Sequence, residues 1–272
     1  MKKILCTIFS VIIIAGTLAL SGCSRSKGST SSGTLTVAME LAYPPFEMKD
    51  AQGNPSGVSV DFAKDFGASI GKKVVIDDIA WDGLIPALQT GKADLIISSM
   101  TITDSRKQVV DFSIPYANSL LAILANKKSN ISSIDDLNRA GKKVAVKIGT
   151  TADIYAQNNL KNAQIIELSD ESACATEVAE GKADGFIYDQ LSIYRDNQSN
   201  PTTTTAIYIP FQNVEYWGVA VKKGNTVLLN QVNNFITKYR AEGGFDKLTQ
   251  KYLANEKQAF DKLGFKWFFD MK

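Results

Sequence analysis

Histidine is absent from all 272 residues. That removes the commonest general base and the commonest metal ligand, and no metal or other cofactor is expected. Cysteine is nearly as scarce, at three. Cys6 and Cys23 belong to the N-terminal stretch, so Cys174 stands alone in the body of the chain. It has no partner there for an internal disulfide and reads as a small buried packing residue. Charge of one sign is also missing: 30 basic residues face 28 acidic ones. Nothing in that balance points to a nucleic-acid partner. There is no phosphate-binding Walker loop and no dinucleotide fingerprint at a strand–helix turn. Gly67-Ala68-Ser69-Ile70-Gly71 does fit the G-x-S-x-G pattern of hydrolases. That elbow needs a strand before the serine, a helix after it and a histidine to take the proton. Here a helix is expected before and a strand after, and no histidine exists.

The N-terminus supplies the one long apolar run. Met1-Lys2-Lys3 precedes an uncharged stretch over 4–20, followed by Ser21-Gly22-Cys23. A basic start, a short apolar centre and small residues at the exit describe a secretory signal over 1–22. The run, about 17 residues, is at the lower edge of what spans a bilayer. Leu20-Ser21-Gly22-Cys23 resembles the lipobox of bacterial lipoproteins. The resemblance implies cleavage before Cys23 and acylation of its thiol and new N-terminus. Attached chains would hold the protein at a membrane surface, at about 0.8 kcal/mol per buried methylene. The Ser- and Gly-rich remainder of 23–33 reads as a flexible tether. Loss of Lys2 and Lys3 takes the 30 basic residues to 28, equal to the acids.

Two segments of the body repeat each other. Thr90-Gly91-Lys92-Ala93-Asp94-Leu95 and Glu180-Gly181-Lys182-Ala183-Asp184-Gly185 both set Gly-Lys-Ala-Asp between an amphipathic stretch and a short apolar run. Each reads as a helix, a glycine stop and a buried strand. The repetition predicts two similarly built α/β lobes. The surrounding pattern agrees: strands are expected over 34–39, 73–76, 143–147 and 164–168, and helices over 58–70, 152–160, 174–180 and 227–240. Such alternation favours parallel sheets. Segments 118–125 and 217–221 are expected to cross between lobes. That places 34–117 and 217–253 in lobe 1 and 118–216 in lobe 2. Phe260, Phe265, Trp267, Phe268 and Phe269 then mark an aromatic extension over 254–272, packed on a lobe or touching a permease.

The informative stretches lie near the expected strand ends. They are Tyr43-Pro44-Pro45-Phe46-Glu47, Trp81-Asp82-Gly83-Leu84-Ile85-Pro86, Ser98-Ser99-Met100-Thr101-Ile102-Thr103-Asp104-Ser105-Arg106, Asp111-Phe112-Ser113-Ile114-Pro115-Tyr116, Lys147-Ile148-Gly149-Thr150-Thr151 and Tyr188-Asp189. Together they resemble the polar-amino-acid-binding proteins of bacterial ABC importers, solute-binding family 3. The likeness runs from about residue 35 to 253 and implies a two-lobed, type II periplasmic-binding-protein fold with two crossing hinge strands and a ligand between the lobes.

Residue chemistry points the same way. A free amino acid is a zwitterion. Its carboxylate suits the planar N–H fork of arginine, and its ammonium suits a carboxylate. The resemblance assigns the ligand carboxylate to Arg106, helped by the Thr151 backbone N–H and hydroxyl. It assigns the ammonium to Asp189, helped by the Ser98 carbonyl and the Thr101 hydroxyl. Ser99 and Thr150 join the site by motif position. Tyr43 and Trp81 are expected around the aliphatic stem, although both could be core aromatics. Asp189 could equally be a helix N-cap alone.

Glu40 and Lys147 are expected to line the side-chain pocket. Paired with each other, they suit an amide such as glutamine. With Lys147 turned to solvent, the pocket is acidic and lysine or arginine is favoured. The uncharged ligand is preferred. The expected protein is monomeric, extracytoplasmic and lipid-anchored, and hands a polar L-amino acid to an ABC permease. The alternatives are an enzyme on the same fold, such as a prephenate- or arogenate-type dehydratase, and a sensory domain. The pairing of Arg106 with Asp189 speaks against the first. The lack of a kinase or further membrane segment after Lys272 speaks against the second.

Overall fold

The computed structural model describes residues 33–271. The expected signal, Cys23 and the tether up to residue 32 lie outside the described residues.

The chain opens with β1 (Thr34–Met39), which buries Leu35 and Val37. A small antiparallel sheet of β2 (Ala42–Tyr43), β3 (Glu47–Lys49) and β4 (Pro55–Ser56) follows. Helix α1 (Val58–Ser69) then buries Phe62 and Phe66 at i, i+4 spacing. Each such ring contributes about 1.5–3 kcal/mol by leaving water. Ser69 ends this helix and does not sit on a strand-to-helix elbow. Next come β5 (Lys73–Asp78), α2 (Leu84–Thr90), β6 (Leu95–Ile96), the short α3 (Asp104–Lys107) and β7 (Val110–Phe112).

Strand β8 (Ala117–Ser119) leads to β9 (Leu121–Asn126) of a second sheet. That sheet is built by α4 (Ile134–Leu137), β10 (Lys143–Lys147), α5 (Thr151–Asn159), β11 (Gln164–Leu168), α6 (Glu171–Ala179), β12 (Gly185–Asp189), α7 (Gln190–Ser199) and β13 (Thr204–Ile207). The return strand β14 (Glu215–Trp217) pairs antiparallel with β8, Trp217 facing Ala117. β15 (Ala220–Lys222) re-enters the first sheet. Helices α8 (Thr226–Ala241), α9 (Gly244–Tyr252) and α10 (Ala254–Leu263) close the chain.

The strand orders are β5-β1-β6-β15-β7 and β11-β10-β12-β9-β13. In each sheet the first three strands are parallel, as expected, and the fourth, β15 or β9, runs antiparallel to both its neighbours. The exception follows from the crossings. β9 and β15 each leave a crossing strand and run away from it, against the strands whose carboxyl ends point toward it.

The sequence repeat is a structural repeat. Gly91 and Gly181 end their helices in the left-handed region, at φ 79° and 76°. A residue with a Cβ is disfavoured there, so glycine suits the stop. The following aspartates do one job in both places. The Asp94 Oδ2 accepts from the Thr36 N–H at 2.8 Å, and the Asp184 Oδ2 accepts from the Lys143 N–H at 2.8 Å. Each ties its own strand to the start of the neighbouring one. Cys174 is fully buried, and burial pushes its thiol up to about 12. The C-terminal aromatics pack inward: Phe260, Trp267, Phe268 and Phe269 are buried in the same cluster as Phe46 and Trp217.

Candidate ligand site

The carboxyl ends of β1, β6, β10 and β12 face a cavity between the two sheets, where open α/β sheets usually place ligands. It holds about 510 Å³ of atom-free space, open mouth included. That is within the range of small-molecule sites and too little for a long peptide. Glu40, Tyr43, Trp81, Ser98, Ser99, Thr101, Arg106, Thr150, Thr151 and Asp189 all line it. Of the expected set, only Lys147 does not.

Arg106 is held from both sides. It sits in α3, which Thr103 caps by accepting the Arg106 N–H at 3.2 Å. Its Nη1 donates to the Thr101 carbonyl at 2.7 Å and its Nη2 to the Gly149 carbonyl at 3.1 Å. The Trp81 ring lies 5.2 Å from the guanidinium carbon, a cation–π contact. Gly149 has φ 71°, and a Cβ there would stand 3.4 Å from the Trp81 Nε1. A side chain at 149 would therefore be strained and would crowd the ring. Burial lowers the Arg106 guanidinium to about 10, so it stays charged at neutral pH. A guanidinium has more N–H donors than these two carbonyls use, and the remainder can fork onto a carboxylate.

Asp189 takes the N-cap role considered for it and also lines the cavity. Its Oδ1 caps α7, accepting from the Leu191 and Ser192 N–H groups at 2.9 and 3.2 Å. Its Oδ2 is buried with no partner among the described residues, on a side chain that lines the cavity. Burial holds this carboxyl above the usual range. A cationic group beside the Oδ2 would compensate it.

Lys147 adopts one of the two expected arrangements, paired with Glu40, but does not itself line the cavity: it is 1% exposed, and its ammonium is bonded to the carboxylate of Glu40, which does. It therefore points neither into the pocket nor to solvent. The buried end of β10 leaves it no route to water, and Glu40 supplies the counter-charge.

Two further carboxylates line the cavity, unassigned from sequence. Glu47 is 1% exposed and accepts from the Ser98 and Ser99 hydroxyls at 3.5 and 3.2 Å. Burial pushes it up to about 8. Ser99 is held at φ 48°, a conformation costing on the order of 1–3 kcal/mol outside glycine. The Glu215 Oε2 accepts from the Thr151 hydroxyl at 2.7 Å and the Thr101 hydroxyl at 3.4 Å. Both hydroxyls were expected on the ligand; here they face Glu215. Tyr188 and Trp217 complete the apolar wall, with Tyr43 edge-on to both at about 6 Å. Glu47 ends a noticed motif and could have been found there. Glu215 lies on a crossing strand with no local signal.

Comparison with known proteins supplies the family and the fold. The profile of the bacterial extracellular solute-binding proteins, family 3, matches residues 35–255. A probable histidine-binding protein of Neisseria gonorrhoeae is 32% identical over 88% of this chain and 92% of its own. Among solved structures, the ancestral amino acid-binding protein AncCDT-1, described as a precursor of cyclohexadienyl dehydratase, is 38% identical with a TM-score of 0.74. It covers 81% of this chain and 95% of its own. An ancestral arginine-binding protein, solved with glutamine bound, is 34% identical with a TM-score of 0.74, over 81% of this chain and 98% of its own.

Proposed function

Because the chain belongs to the bacterial extracellular solute-binding proteins of family 3, we propose that it captures a free polar L-amino acid for an ABC permease at the outer face of the membrane. One observation carries this reading: a buried guanidinium and a buried, half-unpartnered carboxylate line the same cavity from opposite sheets. Arg106 takes the ligand carboxylate, with the Thr151 N–H beside it, and Asp189 takes the ammonium. Tyr43 and Trp81 cover the stem between them. Only a closed arrangement lets both lobes touch the zwitterion at once, so binding shifts the chain toward closure. The permease then reads the closed shape. The chemistry is capture, with no bond made or broken.

Within that class we favour an uncharged side chain of the glutamine type. The support is the Glu40–Lys147 pair, which consumes the charge that a lysine or arginine ligand would need. Such a pair presents an acceptor and leaves no free anion. Calorimetric titration with glutamine, arginine, lysine and histidine tests the preference. Glutamine is expected to bind most tightly. Tight arginine or lysine binding with glutamine silent would reverse the preference and leave the zwitterion site standing.

A further inference from the structure

The matched family profile stops at residue 255, yet the chain continues into a tail that touches both crossing strands. Asn118, on crossing strand β8, is 3% exposed. Its backbone N–H donates to the Phe268 carbonyl at 2.7 Å. Its side-chain Nδ2 lies 2.8 and 2.9 Å from the Trp267 and Phe268 carbonyls and 3.3 Å from that of Asp270. The tail is thus hydrogen-bonded along one crossing strand. Phe268 also stacks on Trp217 of the other crossing strand, β14, at 5.4 Å and 29°. On the first lobe, Phe269 stacks on Phe245 of α9 at 4.8 Å, and the Trp267 Nε1 donates to the Thr249 hydroxyl at 3.2 Å. Those contacts fix the tail to the first lobe. Toward the second lobe, Phe265 lies 4.7 Å from Tyr208, which follows β13 and packs on the second sheet.

A segment anchored on one lobe, bonded to both crossing strands and resting on the other lobe cannot be indifferent to hinge motion. Opening changes backbone angles within a few hinge residues. Here those residues carry the tail's hydrogen bonds, and Phe265 touches Tyr208 in a structure whose lobes already meet through Arg106 and Gly149, so opening disturbs that contact. We infer that residues 264–271 form a strap across the hinge that limits how far the cleft opens. The strap rests on the two-lobed capture reading, yet acts on the chain before any ligand arrives. It lowers the cost of closure, because the unliganded cleft starts nearer to its closed form. Apparent affinity scales with the fraction of binding-competent chain, so the strap raises affinity without touching the ligand.

Energy transfer tests this between probes introduced as unnatural amino acids at Gln89 and Gln157, both exposed and on opposite lobes. The full chain is compared with the same chain ending at Leu263 and with Phe265→Ala. Without ligand, the shortened chain is expected to show a longer separation, and Phe265→Ala a smaller change in the same direction. The amino acid selected by titration is then expected to bind the shortened chain about tenfold more weakly. Should the shortened chain fail to fold, Phe265→Ala decides, since it removes the contact with Tyr208 of the second lobe and leaves the rest of the tail in place, at the loss of one edge contact with Phe260. Unchanged separation in the ligand-free variants overturns the strap. That arm uses no ligand, so a wrong ligand assignment leaves its outcome unaffected.

Discussion

The two lobes share a frame and differ where it ends. Each uses three parallel strands, a left-handed glycine stop and an aspartate that ties adjacent strands together. At the carboxyl ends of those strands the first lobe presents serines and the Arg106 loop. The second presents a helix N-terminus capped by Asp189. The shared parts set position, and the unshared ends set charge. A binder of zwitterions needs that arrangement: equal scaffolds hold opposite charges at a fixed separation, and the hinge brings them together.

Removing either charge should do the most damage. Arg106→Ala and Asp189→Asn should each weaken ligand binding at least a hundredfold, because each leaves a ligand charge unpaired in a closed cleft, at a cost of several kcal/mol. Melting temperatures without ligand should stay close to wild type for Arg106→Ala. If one variant binds within about threefold of wild type, its lobe does not hold a ligand charge.

A smaller effect separates the lobes by pH. Glu47 of the first lobe has no cation to compensate its burial and rises from 4.5 to about 8. The folded chain therefore holds that proton more tightly than the unfolded chain does. Stability from this group is present below about 4.5 and is lost as pH climbs toward 8. The loss is on the order of 5 kcal/mol. Glu47→Gln should match wild type near pH 5 and be the more stable near pH 9. Denaturant melts at the two pH values check it; parallel curves for both chains would remove Glu47 as the cause. In the second lobe, burial and the neighbouring Glu171 push Asp196 up to about 9, so part of the wild-type slope should persist in the variant.

The smallest effect concerns the shared frame. Asp94→Ala and Asp184→Ala each remove a hydrogen bond to the neighbouring strand, costing about 1 kcal/mol. Asp184 also pairs with Lys142 at 3.1 Å, so its loss should cost slightly more. Similar drops in denaturant midpoint would mean that the two lobes use the tie alike. A drop in only one would mean that the repeat is one of shape without shared energetics.

Much of this frame was legible because it is local. Helix, glycine stop and strand lie within 13 consecutive residues in the first lobe and 19 in the second, and Phe62 and Phe66 mark their helix face by spacing alone. The candidate site was legible where motifs sit at strand ends, as with Ser98, Arg106 and Asp189. It was illegible where contacts are remote in sequence. Thr151 meets Glu215 across 64 positions. The Glu40–Lys147 pair, 107 positions apart, was one of two arrangements that the residue types offered, and only the assembled lobes show it formed. The antiparallel strands escaped for a related reason: their direction is set by the crossings, which no local pattern reveals. The inward packing of the tail likewise depends on Asn118, about 150 residues upstream.

Capture of this kind requires one cleft to grip both charges of a free amino acid. Calorimetry on the wild-type chain tests that without mutation, using the preferred amino acid, its N-acetyl derivative and its α-carboxamide. Tight binding is expected for the free zwitterion, and at least a hundredfold weaker binding for each blocked form, one losing Asp189 and the other Arg106. Binding of either blocked form within about threefold of the free amino acid would refute the two-charge grip.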